Sequence, residues 1–166
     1  MTGAVLQREF VQGLAEACAV FEKLTGAPWS VESVTDGAGD VADEEMEAVR
    51  IGVSGLISPR FLLAAPGPDA SRFAKSVSSA SGLGLSMDVL SVLCETANIV
   101  VSAILHQMNV GSGQALIVTV PQPLRGLRAE LLRPMGFPRG AGIARARFVS
   151  EAPVAARLDL IAIWDA

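Results

Sequence analysis

The sequence has no tyrosine, one histidine and two cysteines among 166 residues. With no second His or Cys at ligand spacing from His106, the usual zinc patterns are excluded and no metal site is expected. Cys18 and Cys94 form no CxxC pair and sit in apolar helical patterns, as reduced, buried thiols of a cytosolic protein would. Charged residues make up only 18%, with 17 acidic against 13 basic and a net charge of −4, which argues against a nucleic-acid footprint. No GxSxG elbow, Walker loop or complete GxGxxG occurs. Gly111-Ser112-Gly113 precedes a strand pattern instead of following one, and reads as a turn. No basic segment followed by an apolar run and a cleavage site opens the chain, so no signal peptide and a cytoplasmic location are expected.

What is present is apolar. Hydrophobic types reach 51% and mean hydropathy is +0.45, which excludes disorder and fits a single domain over 1–166. Leu6, Phe10, Leu14, Ala17, Phe21 and Leu24 recur at helical spacing over 4–25, and Gly26 with Pro28 stops that helix. Strands are expected at Trp29–Thr35, around Val49, Ile51 and Val53, and through Phe61–Ala65. Between the first two, Asp36 to Glu45 is an acidic, Gly-containing loop. Pro66-Gly67-Pro68 is a turn, with Asp69 as N-cap of a short helix whose inner face is Phe73, Val77 and Ala80. Gly82 and Gly84 break that helix before a longer one at 86–108. Then follow a strand at Ala115–Val120, a Pro- and Arg-containing crossing segment at 121–142, and strands at Ile143–Val149 and Arg157–Trp164. The last two are expected to pair antiparallel across Glu151-Ala152-Pro153. Mixed elements without strict βαβ alternation define the α+β class.

The helix 86–108 is apolar around most of its circumference. At about 100° per residue, Asp88, Ser91, Glu95, Asn98, Ser102 and His106 share an arc of roughly 80°. A membrane span is disfavoured by Glu95 and Asn98 near the centre and by the lack of a flanking basic belt. Spacing alone leaves three readings of this stripe open: a solvated face on a core helix, a buried polar network, or a surface offered to a partner. His106 reads as a surface histidine near the helix end, with a catalytic role the alternative. Arg125, Arg128, Arg133, Arg139, Arg145 and Arg147 cluster late in the chain, as docking surface for an acidic partner or as solvated side chains.

The stripe reads Ser91-x3-Glu95-x2-Asn98, with Pro121 after twenty-two further residues. This resembles the signature of the CheC/CheX/FliY family of chemotaxis phosphatases: Asp or Ser, three residues, Glu, two residues, Asn, twenty-two residues, Pro. The stretch Phe10-Val11-Gln12-Gly13-Leu14 through Val20-Phe21-Glu22-Lys23-Leu24-Thr25-Gly26 also resembles the first helix of CheX-type members. After Asn98 the chain runs Ile99-Val100-Val101-Ser102, where those members commonly have Met-Ile-Ala-Gly. The resemblance implies two degenerate α-β-α-β-β units, with long helices packed on an antiparallel sheet. Leu14–Val20 can be laid over Leu93–Ile99, so that Glu16 matches Glu95 but Ala19 stands opposite Asn98 and Ala42 where a proline would be. One competent site and one silent copy are therefore expected.

The activity so implied is hydrolysis of the aspartyl phosphate of a CheY-like response-regulator receiver domain, in chemotaxis or related two-component signalling. Glu95 and Asn98 would be catalytic, with Ser91 and Pro121 supporting them. The resemblance implies no cofactor of the chain's own, Mg²⁺ on the partner, and a homodimer. A catalytically inactive CheC-like scaffold or adaptor is the alternative.

Overall fold

Strand pairing organises the chain. The computed structural model describes residues 3–37, 44–55, 58–82, 87–112, 116–136 and 140–165. Their seven strands are β1 (Ser30–Asp36), β2 (Glu45–Ser54), β3 (Arg60–Pro66), β4 (Ile117–Val118), β5 (Gln122–Leu127), β6 (Gly142–Ser150) and β7 (Ala156–Trp164). All pair antiparallel in one sheet of order β1-β6-β7-β3-β2, with β4 and β5 both along the outer side of β2. The helices are α1 (Gly3–Thr25), α2 (Gly67–Ala80), α3 (Val89–Ser112) and α4 (Arg128–Leu132), the last running into a 3₁₀ turn at Arg133–Met135.

The central strands explain the apolar composition. Phe61-Leu62-Leu63-Ala64-Ala65 and Leu158 through Trp164 are buried on both sides. Strands covered on both faces are continuous apolar runs, not alternating ones. One face, carrying Val49, Ile51, Phe61, Leu63, Phe148 and Leu160, packs under α1, α2 and α3. Phe21 anchors it, with ring centroids 5.1 Å from both Trp29 and Phe148 and 6.0 Å from Phe73. The Trp29 indole donates to Thr25 Oγ1 at 3.0 Å, so its N–H is satisfied inside the core. The opposite face carries Met46, Ala48, Leu62, Ala64, Ile161 and Ile163, capped by Leu131, Leu132 and Met135.

α1 and α3 approach closely at Gly13. A Cβ there would lie 3.0 Å from Ile104 Cγ2 and 3.1 Å from its Cα. The small residue that lets these helices meet is thus supplied by α1, while α3 places Val100 and Val101 in the core. α3 is long and apolar enough to cross a membrane by length and composition. Here Val92, Leu93, Ala97, Val100, Val101, Ile104, Leu105 and Met108 are all buried within the protein.

The sheet contains a pseudo-twofold relation. Exchanging β1 with β5, β2 with β6 and β3 with β7 returns the same strand order. Leu63 pairs with Leu160 in the central β3–β7 ladder. The second half follows α-β-α-β-β as α3, β4 with β5, α4, β6 and β7. The first half has no helix between β1 and β2 among the described residues, and places α2 after β3. Ala42 and most of the acidic loop (Asp40 and Asp43 included) lie outside the described residues, as do Gly84, Gly113, Ala115 and Arg139.

Four expectations are corrected. Asp69 is not an N-cap: α2 begins at Gly67, Pro66 occupies the cap with no side-chain hydrogen bond, and Asp69 pairs with Arg72. The inner face of α2 is Ala70, Phe73 and Ala74, with Val77 half-buried against the same core and only Ala80 exposed. The strand expected at Ala115–Val120 is only Ile117–Val118. The crossing segment 121–142 contains a true strand, β5, and the short helix α4. Pro123 is tolerated because β5 is an edge strand, where a missing N–H breaks no central ladder.

Candidate functional site

α3 is started by Asp88. Its Oδ2 accepts the backbone N–H of Ser91 at 3.0 Å and the Ser91 hydroxyl at 3.1 Å, a side-chain N-cap on the third helical residue. The sequence pattern places Asp88 on the helical stripe; in the fold it sits just before Val89 and closes the first turn instead. A carboxylate at that end also complements the helix dipole.

From this fixed end the polar stripe emerges in register. Ser91, Glu95, Ser102 and His106 are exposed and Asn98 is half-buried, while Thr96 on the other side is buried. Ser91, Glu95 and Asn98 line one open depression of about 490 Å³, together with Asp88, Leu90 and Cys94. Its other wall is Pro121 and Pro123, at the start of β5. All four residues of the sequence pattern, some thirty positions apart at the extremes, therefore border one surface feature. Ser102 and His106 lie beyond its lining.

The chemistry of the depression is mixed. Glu95 supplies a carboxylate, Asn98 one turn later supplies a carboxamide that both donates and accepts, and Leu90 with the prolines supplies apolar rim. Burial, aided by the neighbouring Asp88 charge, pushes the Cys94 thiol up from its ordinary value, so it stays protonated and unreactive at neutral pH. Cys18 is shifted the same way by burial and by Glu22. Among the described residues no group of three His, Cys, Asp or Glu side chains can hold a metal ion.

Asp88, Cys94, Leu90 and Pro123 are the lining residues that sequence reasoning did not assign to the site. Pro123 had a signal: two residues after Pro121 in an extended segment, it falls on the same side. Four of the six late arginines are not a free basic surface, while Arg133 is exposed. Arg125 pairs with Glu47 at 2.7 Å. Arg145, Arg147 and Arg128 converge on the buried Asp159, at 2.6, 3.0 and 3.8 Å.

Helices packed on a seven-strand antiparallel sheet define the class of fold. It is the fold of the CheC/CheX/FliY proteins. The chemotaxis protein CheX of Vibrio vulnificus superposes with a TM-score of 0.69 at 15% identity, over 95% of this chain and 99% of that one. A chain of the CheX–CheY–BeF₃–Mg²⁺ complex from Borrelia burgdorferi gives 0.62 at 13% identity, over 96% and 97%. FliY of Thermotoga maritima gives 0.63 at 12% identity, over 90% and 83%. No protein-family model matches the sequence, and no curated protein matches it by sequence.

Proposed function

We propose that this chain is a CheX-like phosphatase that hydrolyses the aspartyl phosphate of a CheY-like receiver domain. The observation that carries the reading is the shared depression: Glu95 and Asn98 project one turn apart into it, opposite Pro121. An acyl phosphate on a receiver already has its own Mg²⁺ and lysine, and lacks only a water held in line with phosphorus. Asn98 orients that water through its carboxamide without taking a proton, as the water-positioning glutamine of GTPases does. Glu95 pairs with a lysine ammonium on the partner and so aims Asn98 into the receiver's site. Ser91, held by Asp88, supports the first turn, and Pro121 shapes the facing wall. Seating the pair on a helix clamped to a sheet gives the rigidity that insertion into another protein's centre demands.

On this reading the chain needs no metal, nucleophile or general base of its own; Mg²⁺ belongs to the partner. A cytoplasmic homodimer completes the proposal. The likeness to a chain of the FliG–FliM complex from H. pylori favours one other reading, a CheC-like scaffold or adaptor without catalysis. The two are separated by loading a receiver domain with a small phosphodonor in Mg²⁺ and following phosphate loss. Wild type should accelerate loss, and Asn98→Ala should slow the accelerated rate by about a hundredfold, the usual penalty for a misplaced reacting group. If wild type is no faster than the receiver alone, the phosphatase reading fails. Retained binding to the receiver would then leave the adaptor.

A further inference from the structure

On the side of the sheet away from Glu95 and Asn98, a second depression of about 260 Å³ lies where β2, β3 and the β4–β5 segment meet. Its polar lining is Arg50, Arg60, Thr119 and Gln122, with the buried Met135 as apolar lining. Arg50 has no carboxylate within ion-pairing distance among the described residues. Its Nε and Nη2 both donate to the neutral carbonyl oxygen of Gln122, at 3.1 Å for Nε. That occupies the acceptor of Gln122 and leaves its NH₂ as a donor. Thr119 Oγ1 accepts the Gly52 N–H at 3.0 Å, which leaves its hydroxyl hydrogen to donate. Arg60 pairs through Nη2 with Asp165 at 3.1 Å, an aspartate whose side chain is 66% exposed, and its buried Nε makes no hydrogen bond.

The polar side chains lining this depression thus offer mainly donors: two permanently charged guanidiniums, of which Arg60 is paired with Asp165, one amide and one hydroxyl, with a second lone pair on Thr119 Oγ1 as the one side-chain acceptor left over. A cation is disfavoured beside two guanidiniums, and a neutral donor has one side-chain acceptor against several donors. We infer that this depression is a binding site for an oxyanion of the phosphate class, inorganic phosphate or a small phosphate monoester. Phosphate presents acceptors in several directions at once, and guanidinium forks bind it bidentately. The net charge of the whole chain is −4, so this local excess of positive charge is not a general property of the surface. The inference is independent of the proposed phosphatase activity, because it concerns other residues on the other side of the sheet.

The test is calorimetric titration of the intact protein with inorganic phosphate in a phosphate-free buffer, with chloride at matched ionic strength as the control. Saturable binding of one phosphate per chain is expected, weakened by about tenfold or more in Arg50→Gln, as loss of a charged hydrogen-bond partner implies. Arg125→Gln, which removes an arginine already paired with Glu47, should bind like wild type. Thermal melts of both variants verify folding, and Arg60→Gln serves as the second variant should Arg50→Gln melt early. Absence of saturation, equal competition by chloride, or undiminished binding in both Arg50→Gln and Arg60→Gln overturns the assignment.

Discussion

Replacing Asp159 by asparagine should remove a large share of the stability of this fold. The carboxylate is 2% exposed and holds Arg145 at 2.6 Å, Arg147 at 3.0 Å and Arg128 at 3.8 Å. Burial and the neighbouring Arg145 already push the Arg128 guanidinium below its ordinary value, while the hydrogen bond to Asp159 raises that of Arg147. One anion therefore serves three cations, and two of these have side chains no more than 10% exposed. Asparagine preserves the shape but strands the buried positive charges, a change that costs about 3–5 kcal/mol. A domain of this kind has roughly 5–15 kcal/mol in all. At about 2–4 °C per kcal/mol for a chain of this size, the melting temperature should fall by roughly 6–20 °C. Urea unfolding followed by circular dichroism should show a lower midpoint at unchanged slope. Adding Arg145→Leu should recover part of the loss, because it removes one stranded charge. A loss below about 1 kcal/mol, the level of an exposed ion pair, would refute the argument and make Asp159 a surface residue in energetic terms.

Two further outcomes concern the start of α3. Asp88→Ala deletes the acceptor for the Ser91 N–H and hydroxyl, and should lower unfolding stability by about 1 kcal/mol in urea titrations. Asp88→Asn keeps a good cap but removes the charge that helps raise the Cys94 thiol. Since the shift is upward, wild-type Cys94 should be alkylated more slowly at neutral pH than an ordinary cysteine, and faster as pH rises into the alkaline range. In Asp88→Asn its pKa falls, so alkylation at fixed pH should quicken, read peptide by peptide against Cys18 by mass spectrometry. An unchanged rate would show that the Asp88 charge does not reach the thiol.

The parts of the fold legible in the sequence are those written in one periodicity. α1, the paired β6 and β7, and the apolar run of β3 carry patterns that only one environment satisfies. The stripe on α3 was equally legible, since Ser91, Glu95 and Asn98 are the polar exceptions on an apolar helix. Other features depend on distant partners and leave no local trace. In the sequence β5 resembles a crossing segment, because Pro121, Pro123 and Arg125 look like loop residues. Its pairing with β2 is fixed by position at the sheet edge, where proline is harmless. The arginines of β6 alternate with alanines as solvent-facing residues would. What places them against the protein is a single aspartate on β7, buried where no propensity favours an acid. Asp69 failed as a cap because Pro66 and Pro68 begin α2 earlier than a capping side chain would.

The interchangeable halves of the sheet have a bearing on how this protein can vary. Glu16 and Ala19 on α1 are exposed, as Glu95 is on α3. On the phosphatase reading, a scaffold built twice carries its working surface once. If that reading holds, saturation mutagenesis scored for receiver dephosphorylation should register a lopsided tolerance map, permissive at Glu16 and Ala19 on α1 and strict at Glu95 and Asn98 on α3.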